Sequence, residues 1–247
     1  MNGFFLPNGV FRLPVRFGPG DSDPFGRTDA AALLRQMQNA AEAHYDALGI
    51  GAAAAAAHNS FWALIRTELE IALSPAPGEE LRLDTWAGRC GHGLHRRLYR
   101  FSDGADHTLV RGLSVWVLMD RTTRQLSADR SWLVDPAPLS FPDEFRGLKR
   151  SVMPPPDRCT ARTVTREETD VNGHLNNTVY ARWAADLLDA DYARGHRLRA
   201  LLAEYKKELP LGAAAELRWR LEADTLTVRG VSDGRDSFLV RCDYDPI

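Results

Sequence analysis

The chain has 247 residues, of which 44% are apolar and 26% charged, enough apolar material for one large folded domain or two small ones. Its 31 Lys and Arg stand against 33 Asp and Glu, a net charge of −2, which excludes a general footprint for nucleic acid or an anionic membrane surface. No apolar run reaches the ~20 residues that cross a bilayer, so no membrane span is expected.

In chain order, Met1 to Val10 lacks a basic segment and is interrupted by Pro7, so it does not read as a signal peptide. Asp23-Pro24-Phe25-Gly26 precedes a helical pattern in which Leu34, Met37, Ala41, His44 and Leu48 recur at three- and four-residue steps. The alanine run 52–57 extends or spaces that helix, and Ile65-Arg66-Thr67-Glu68-Leu69 follows. Alternation at Leu81, Leu83 and Thr85 predicts a strand. A turn at Ser102 to Gly104 leads towards a closing strand with Leu113, Val115, Val117 and Met119 on one face.

Residues 135–158 hold Pro136, Pro138, Pro142, Pro154, Pro155 and Pro156 without apolar periodicity, and read as a surface linker. Beyond it the order repeats. A strand-like stretch, Thr160 to Thr165, leads to Asp170-Val171-Asn172-Gly173 and a second helical face of Tyr180, Trp183, Leu187 and Leu188. Tyr205-Lys206-Lys207-Glu208-Leu209 resembles the earlier phrase around Glu68. Leu217, Trp219 and Leu221 alternate, Ser232 to Gly234 turns, and Phe238, Val240, Cys242 and Tyr244 share a face of the last strand.

Asp23 and Asp170 stand 147 positions apart (170 − 23), Glu68 and Glu208 stand 140 apart (208 − 68). This near-constant register predicts an internal duplication. The expected fold is α+β, two halves each formed by an antiparallel sheet wrapped around one long helix. Domain bounds are 1–134, a linker at 135–158, and 159–247.

Cys90, Cys159 and Cys242 are odd in number and widely spaced, with no CxxC pair. They read as reduced thiols of a cytoplasmic protein, with no metal site and no cofactor. The densest polar cluster is Thr169-Asp170-Val171-Asn172-Gly173-His174-Leu175-Asn176-Asn177. Asp and Asn there could simply shape a turn and cap the helix. Alone, Glu208 beside Lys206 and Lys207 would read as a solvated charge. The first copy keeps Asp23 and Gly26 but has Pro24, Phe25 and Arg27 in place of Val171, Asn172 and His174. The polar set is therefore not a requirement of the fold, and the first half is expected to be catalytically silent.

Asp170-x-Asn172-Gly173-His174-x-Asn176-Asn177-x-x-Tyr180 resembles the signature of hotdog-fold thioesterases. Extended to Glu204-Tyr205-Lys206-Lys207-Glu208, and in the first half to Phe61-Trp62, Arg66, Pro75, Gly78, Thr85-Trp86 and Ser114 to Leu118, it resembles the double-hotdog acyl-ACP thioesterases of plants and bacteria. The resemblance implies a tandem hotdog fold, hydrolysis of fatty acyl-[acyl carrier protein] to free fatty acid, and catalytic residues Asp170, Asn172, His174 and Glu208. It also implies that the first half lines an acyl tunnel; Trp62, Trp86 and Trp116 could border it, with ordinary core packing the favoured role for most of these aromatics. Plant members carry a cysteine directly after the glutamate. Here that residue is Leu209, which rules out a thiol nucleophile at that position.

Thioester hydrolysis needs an activated water and a stabilised oxyanion. Glu208 or Asp170 could take the proton, or one carboxylate could attack to form a mixed anhydride. Glu208 is the preferred base, with Asn172 and His174 orienting water and thioester and Asp170 holding its neighbours. A second helix starting near Asn176 would aim unpaired N–H groups at the thioester carbonyl. The implied partner is acyl carrier protein, met by basic groups such as Arg96-Arg97-Arg100 or Arg146-Lys149-Arg150, and a homodimer is compatible with the chain. Competing readings are an acyl-CoA thioesterase and a non-catalytic acyl-binding module. A hydratase is disfavoured, because those enzymes place a proline before the histidine.

Overall fold

A computed structural model describes residues 3–89, 91, 93–134, 137, 139, 141, 145–149 and 153–247. The chain falls into two compact units, Met1–Ile65 with Ala72–Gly147, and Arg66–Ile71 with Leu148–Ile247. Each is an antiparallel sheet with a helix, and the second repeats the plan of the first with shorter helices.

The first unit contains β1 (Phe4–Phe5), β2 (Phe11–Arg16), α1 (Ala30–Ala47), α2 (Ala52–Ala57), the start of β3 (Ser60–Ile71), β4 (Glu80–Ala87), β5 (Leu94–Ser102) and β6 (Thr108–Asp120). The strands β1, β2, β4, β5 and β6 are neighbours in that order. Along β2, Phe11, Leu13 and Val15 are buried while Arg12, Pro14 and Arg16 are not, the period of two that a sheet with one covered face requires. Helix α1 supplies the cover. Leu33, Leu34, Met37, Ala40, Ala41, His44 and Tyr45 are buried, the expected stripe with its phase confirmed, although Leu48 falls just past the helix end and is half-buried. The alanine run does form a helix, with Ala55 fully buried.

The second unit contains β7 (Arg158–Thr163), α3 (Val179–Ala185), α4 (Ala190–Gly195), β8 (His196–Tyr205), β9 (Ala214–Glu222), β10 (Thr225–Ser232) and β11 (Arg235–Pro246). Its sheet runs β8-β11-β10-β9-β7, and Arg66–Ile71 at the end of β3 pairs with β8. The second helix is shorter than the apolar spacing suggested. It stops at Ala185, and Asp189 caps a separate helix by accepting from Tyr192 N at 2.7 Å. The acidic run Asp186, Asp189 and Asp191 explains the break. Carboxylates are poorly placed at a helix C-terminus and favoured as caps of the next.

Residues 137–147 group with the first unit rather than standing free. Leu139 N donates to Ala87 O at 3.0 Å, Phe141 packs edge-on against Trp86, and Phe145 is buried. At the other unit, Glu68 is buried and accepts from Arg66 Nε at 2.6 Å and from the backbone N–H of Leu148. The linker prolines 136, 138 and 142 lie outside the described residues. Among the described residues, no helix is long and apolar enough to cross a membrane.

Candidate active site

The loop that precedes α3 is built by one carboxylate. Asp170 Oδ1 accepts from the backbone N–H of Asn172 at 2.8 Å and of His174 at 3.2 Å, while Asp170 N donates to His174 O at 2.8 Å. Gly173 N closes the turn onto Asp170 O at 3.0 Å, and Gly173 sits at φ +76°, where a side chain would be strained. Asn176 caps the next turn, its Oδ1 accepting from Thr178 N and Thr178 Oγ1.

A second loop, just past β8, is laid against this one. Leu175 N donates to Leu209 O at 2.8 Å and Leu211 N to Gly173 O at 3.1 Å, with a bridge between His174 and Pro210. That pairing carries Glu208 to His174. Nδ1 of His174 lies 3.7 Å from Oε2 of Glu208, both side chains partly solvent-facing. The separation suits an ion pair or a shared water, and is too long for a good direct hydrogen bond.

The four sequence candidates therefore split into two groups. His174 and Glu208 face each other. Asp170 is taken up by the turn, and Asn172 is exposed, its Nδ2 at 3.4 Å from Asp170 Oδ2. Three of the N–H groups expected as oxyanion donors at the helix start are already bonded. The helix begins at Val179, the N–H groups of Thr178 and Val179 are bonded to Asn176, and Asn176 N is bonded to Glu168 O. Asn176 acting as a cap is the reason.

Tyr180 joins the site, a residue placed by the sequence on an apolar helix face and at the end of the resembled signature, without a role of its own. Its phenol is pushed above its ordinary range first by burial and then by the negative charges of Glu208 and Asp170. Its ring packs edge-on against Phe238 and Tyr205. The Asn-Asn-x-x-Tyr spacing carried the signal, since it sets Tyr180 on the first turn of α3, next to the loop. Trp183 Nε1 donates to Glu168 Oε1 at 2.7 Å and ties the helix to the same loop.

The first unit holds the same loop without the same chemistry. Asp23 Oδ1 accepts from Phe25 N and Arg27 N, each at 2.9 Å, Asp23 N donates to Arg27 O, and Gly26 has φ +80°. Arg27, in the place of His174, is paired with Asp23. The partner of Glu208 in this copy is not Glu68. Gly78 N bonds Phe17 O as Gly212 N bonds Val164 O, and the pair of N–H groups at 72 and 73 bonds Leu109 O as those at 206 and 207 bond Ser237 O. Both comparisons give a register of 134 (212 − 78 and 206 − 72). The counterpart of Glu208 is therefore Ser74, whose Oγ accepts from Thr28 N, and Glu68 lies mid-strand opposite Leu202. The likeness of the two phrases in sequence misplaced the register by six residues (140 − 134), because the helical connection of the first copy is longer by more than its alanine run alone.

Among the described residues, no cluster of His, Cys, Asp and Glu is arranged to hold a metal ion. Cys242 is buried, its thiol pushed up to about 12 by burial, and Cys159 is exposed with its Sγ on Glu216. Cys90 lies outside the described residues. The expected basic patch at 96–100 is not a surface: Arg97 is buried, Arg96 bonds Phe145 O, and Arg100 is paired with Asp84 and Asp106. Arg146 and Lys149 are exposed, and Arg150 lies outside the described residues.

Two sheet-and-helix units with this duplicated loop define a double-hotdog protein. The chain belongs to the acyl-ACP thioesterase family: the family's N-terminal domain matches residues 11–130 and its C-terminal domain residues 157–236. It is similar to the chloroplastic palmitoyl-acyl carrier protein thioesterase of Gossypium hirsutum, 27% identical over 159 residues. That match covers 61% of this chain and 38% of the cotton protein, so the chain spans about two-fifths of that relative's length. Among solved structures it resembles an acyl-ACP thioesterase from Bacteroides thetaiotaomicron, with a TM-score of 0.86, 20% identity, and 96% and 98% of the two chains covered. It also resembles the 12:0-ACP thioesterase from Umbellularia californica, with a TM-score of 0.81, 21% identity, and 96% and 98% covered. At these identities the structural likeness concerns the fold.

Proposed function

We propose that the protein hydrolyses the thioester of a fatty acyl group carried on acyl carrier protein and releases the free fatty acid, with Glu208 as the base that activates water. The approach of His174 to Glu208, present in one copy of the loop and missing from the other, is the observation that carries this reading. Family membership and the activity named for its relatives supply the substrate class.

In this mechanism a water lies between His174 and Glu208. The carboxylate takes its proton while the water oxygen attacks the thioester carbon. The carbonyl electrons move onto oxygen, and the Asn172 amide donates a hydrogen bond to it. Collapse of the tetrahedral adduct breaks the C–S bond, and the proton held by Glu208 passes to the departing thiolate. Asp170 is a positioning residue, since its oxygens hold the backbone of Asn172 and His174.

Single-turnover hydrolysis in ¹⁸O water tests the role of Glu208. Direct attack places the label in the released fatty acid and none in the protein. Label recovered in Glu208 would replace this mechanism with a mixed anhydride. Initial rates on acyl-ACP and acyl-CoA of matched chain length test the carrier, and a preference for CoA would overturn the ACP assignment.

A further inference from the structure

The interior of the first unit contains a cation that the proposed hydrolysis does not use. Arg97, on β5 and 1% exposed, points to the helix-covered side of the sheet. Its Nη1 reaches His44 Nδ1 at 2.5 Å and Thr85 Oγ1 at 3.2 Å, and its guanidinium lies 4.3 Å above the ring of Tyr45. None of these partners is a carboxylate. His44 is held neutral, its pKa lowered to about 3 by burial and then by the charge of Arg97, so it accepts from the guanidinium and offers no compensating charge. Nε and Nη2 of Arg97 are buried and have no hydrogen-bond partner among the described residues. A buried charge with three of its five N–H donors unmatched is strongly unfavourable unless something completes it.

The unmatched pair is the edge of the guanidinium that receives a carboxylate side-on. Elsewhere in the same unit Arg12 uses that edge on Asp84, with Nε to Oδ1 at 2.6 Å and Nη2 to Oδ2 at 2.8 Å. Rings in contact lead outward from Arg97. Tyr45 lies under the guanidinium, and Trp62 packs 5.0 Å from Tyr45. Trp62 and Leu64 on β3, with Trp116 on β6, are apolar and yet only half-buried. A ligand with an apolar chain and one anionic end matches both features.

We propose that the interior of the first unit binds a fatty chain bearing a carboxylate, which the Nε–Nη2 edge of Arg97 holds. The choice of a fatty chain rests on the function proposed above, and the carboxylate rests on the geometry of Arg97. The chemistry has two sources, a free fatty acid held by its head or an acyl group with a second carboxylate at its far end.

Calorimetric titration of the whole wild-type protein with dodecanoate and dodecan-1-ol compares ligands of equal chain length. The acid is expected to bind roughly tenfold tighter or better, and equal affinities would overturn the proposal. Arg97→Met should abolish that preference, and a folded variant that keeps it would also overturn the proposal. If Arg97→Met does not fold, a wild-type crystal soaked with dodecanoate reads the contact directly. Carboxylate oxygens within about 3.2 Å of Nε and Nη2 support it, and a carboxylate bound elsewhere refutes it. The two sources separate by adding the half-thioester of dodecanedioic acid. Tighter binding of that compound than of the dodecanoyl thioester, lost in Arg97→Met, assigns the far-end carboxylate, and equal binding of the two leaves the free acid as the ligand. Glu208→Gln separates this inference from the hydrolytic one, because dodecanoate should bind that variant as it binds the wild type whether or not turnover depends on Glu208.

Discussion

The loops at 23–29 and 170–176 share a backbone and differ in what the backbone presents. In both, an aspartate accepts from the N–H groups two and four residues on, a glycine takes the left-handed turn, and an Asp or Asn six residues after the aspartate accepts from the N–H two residues further on. In one loop the fourth position is Arg27, ion-paired back onto its own aspartate, and the facing strand end supplies Ser74. In the other it is His174, left to meet Glu208. The aspartate shapes the turn in both copies, and the histidine and the glutamate are what differ between them. Sequence reading grouped Asp170 with the other three; of the four, it alone has the same residue type at the matching place in the first copy, as Asp23.

Three substitutions at the loops would break or sharpen that contrast. Glu208→Gln should reduce single-turnover hydrolysis by about 10²–10⁴-fold while the melting temperature stays near that of the wild type, since the side chain is about half exposed and Gln keeps its shape. A near-normal rate would remove Glu208 from the mechanism. His174→Gln should cost about 10²-fold in kcat, as expected for loss of a group that orients water and polarises the thioester. The same assay on Arg27→Gln in the silent loop should give a rate within about twofold of the wild type, by the same reasoning. A large loss at Arg27 would contradict the division between the copies.

The aspartates provide the next comparison. Asp170→Ala and Asp23→Ala should each destabilise the protein by about 1–3 kcal/mol in urea titrations, because each leaves two backbone N–H groups without their acceptor. Only the first should also lower turnover of the folded protein. Equal effects on turnover would mean that the first loop takes part in the reaction. The smallest effect is expected from replacing Cys90, Cys159 and Cys242 together by serine. Burial keeps the Cys242 thiol protonated, and Cys159 hydrogen-bonds Glu216, so turnover should stay within about twofold. Loss of activity in a folded triple variant would point back to a thiol mechanism.

How much of this could be read from the chain depends on the range of the interactions concerned. The alternating positions of β4, β9 and β11, the turns after Ser102 and Ser232, and the buried stripe of α1 all follow from local periodicity and appeared where the sequence put them. So did the shared turn around Asp23 and Asp170, whose hydrogen bonds span at most four residues. The break between α3 and α4 was also local, in the acidic run 186–191, yet the apolar spacing of Leu187 and Leu188 masked it.

The amino-acid sequence by itself determined the duplication, the strand faces, and the residues available for chemistry, because each is written in patterns no longer than a single helix or turn. Only the tertiary structure decided that Ser74, and not Glu68, answers to Glu208, that the helix-start N–H groups are already bonded, that Tyr180 shares the site, and that Arg97 lies inside its unit rather than on a basic surface. Each of those depends on which strand pairs with which, and at what offset. That offset is set by the packing of residues far apart in the chain, which local spacing does not encode.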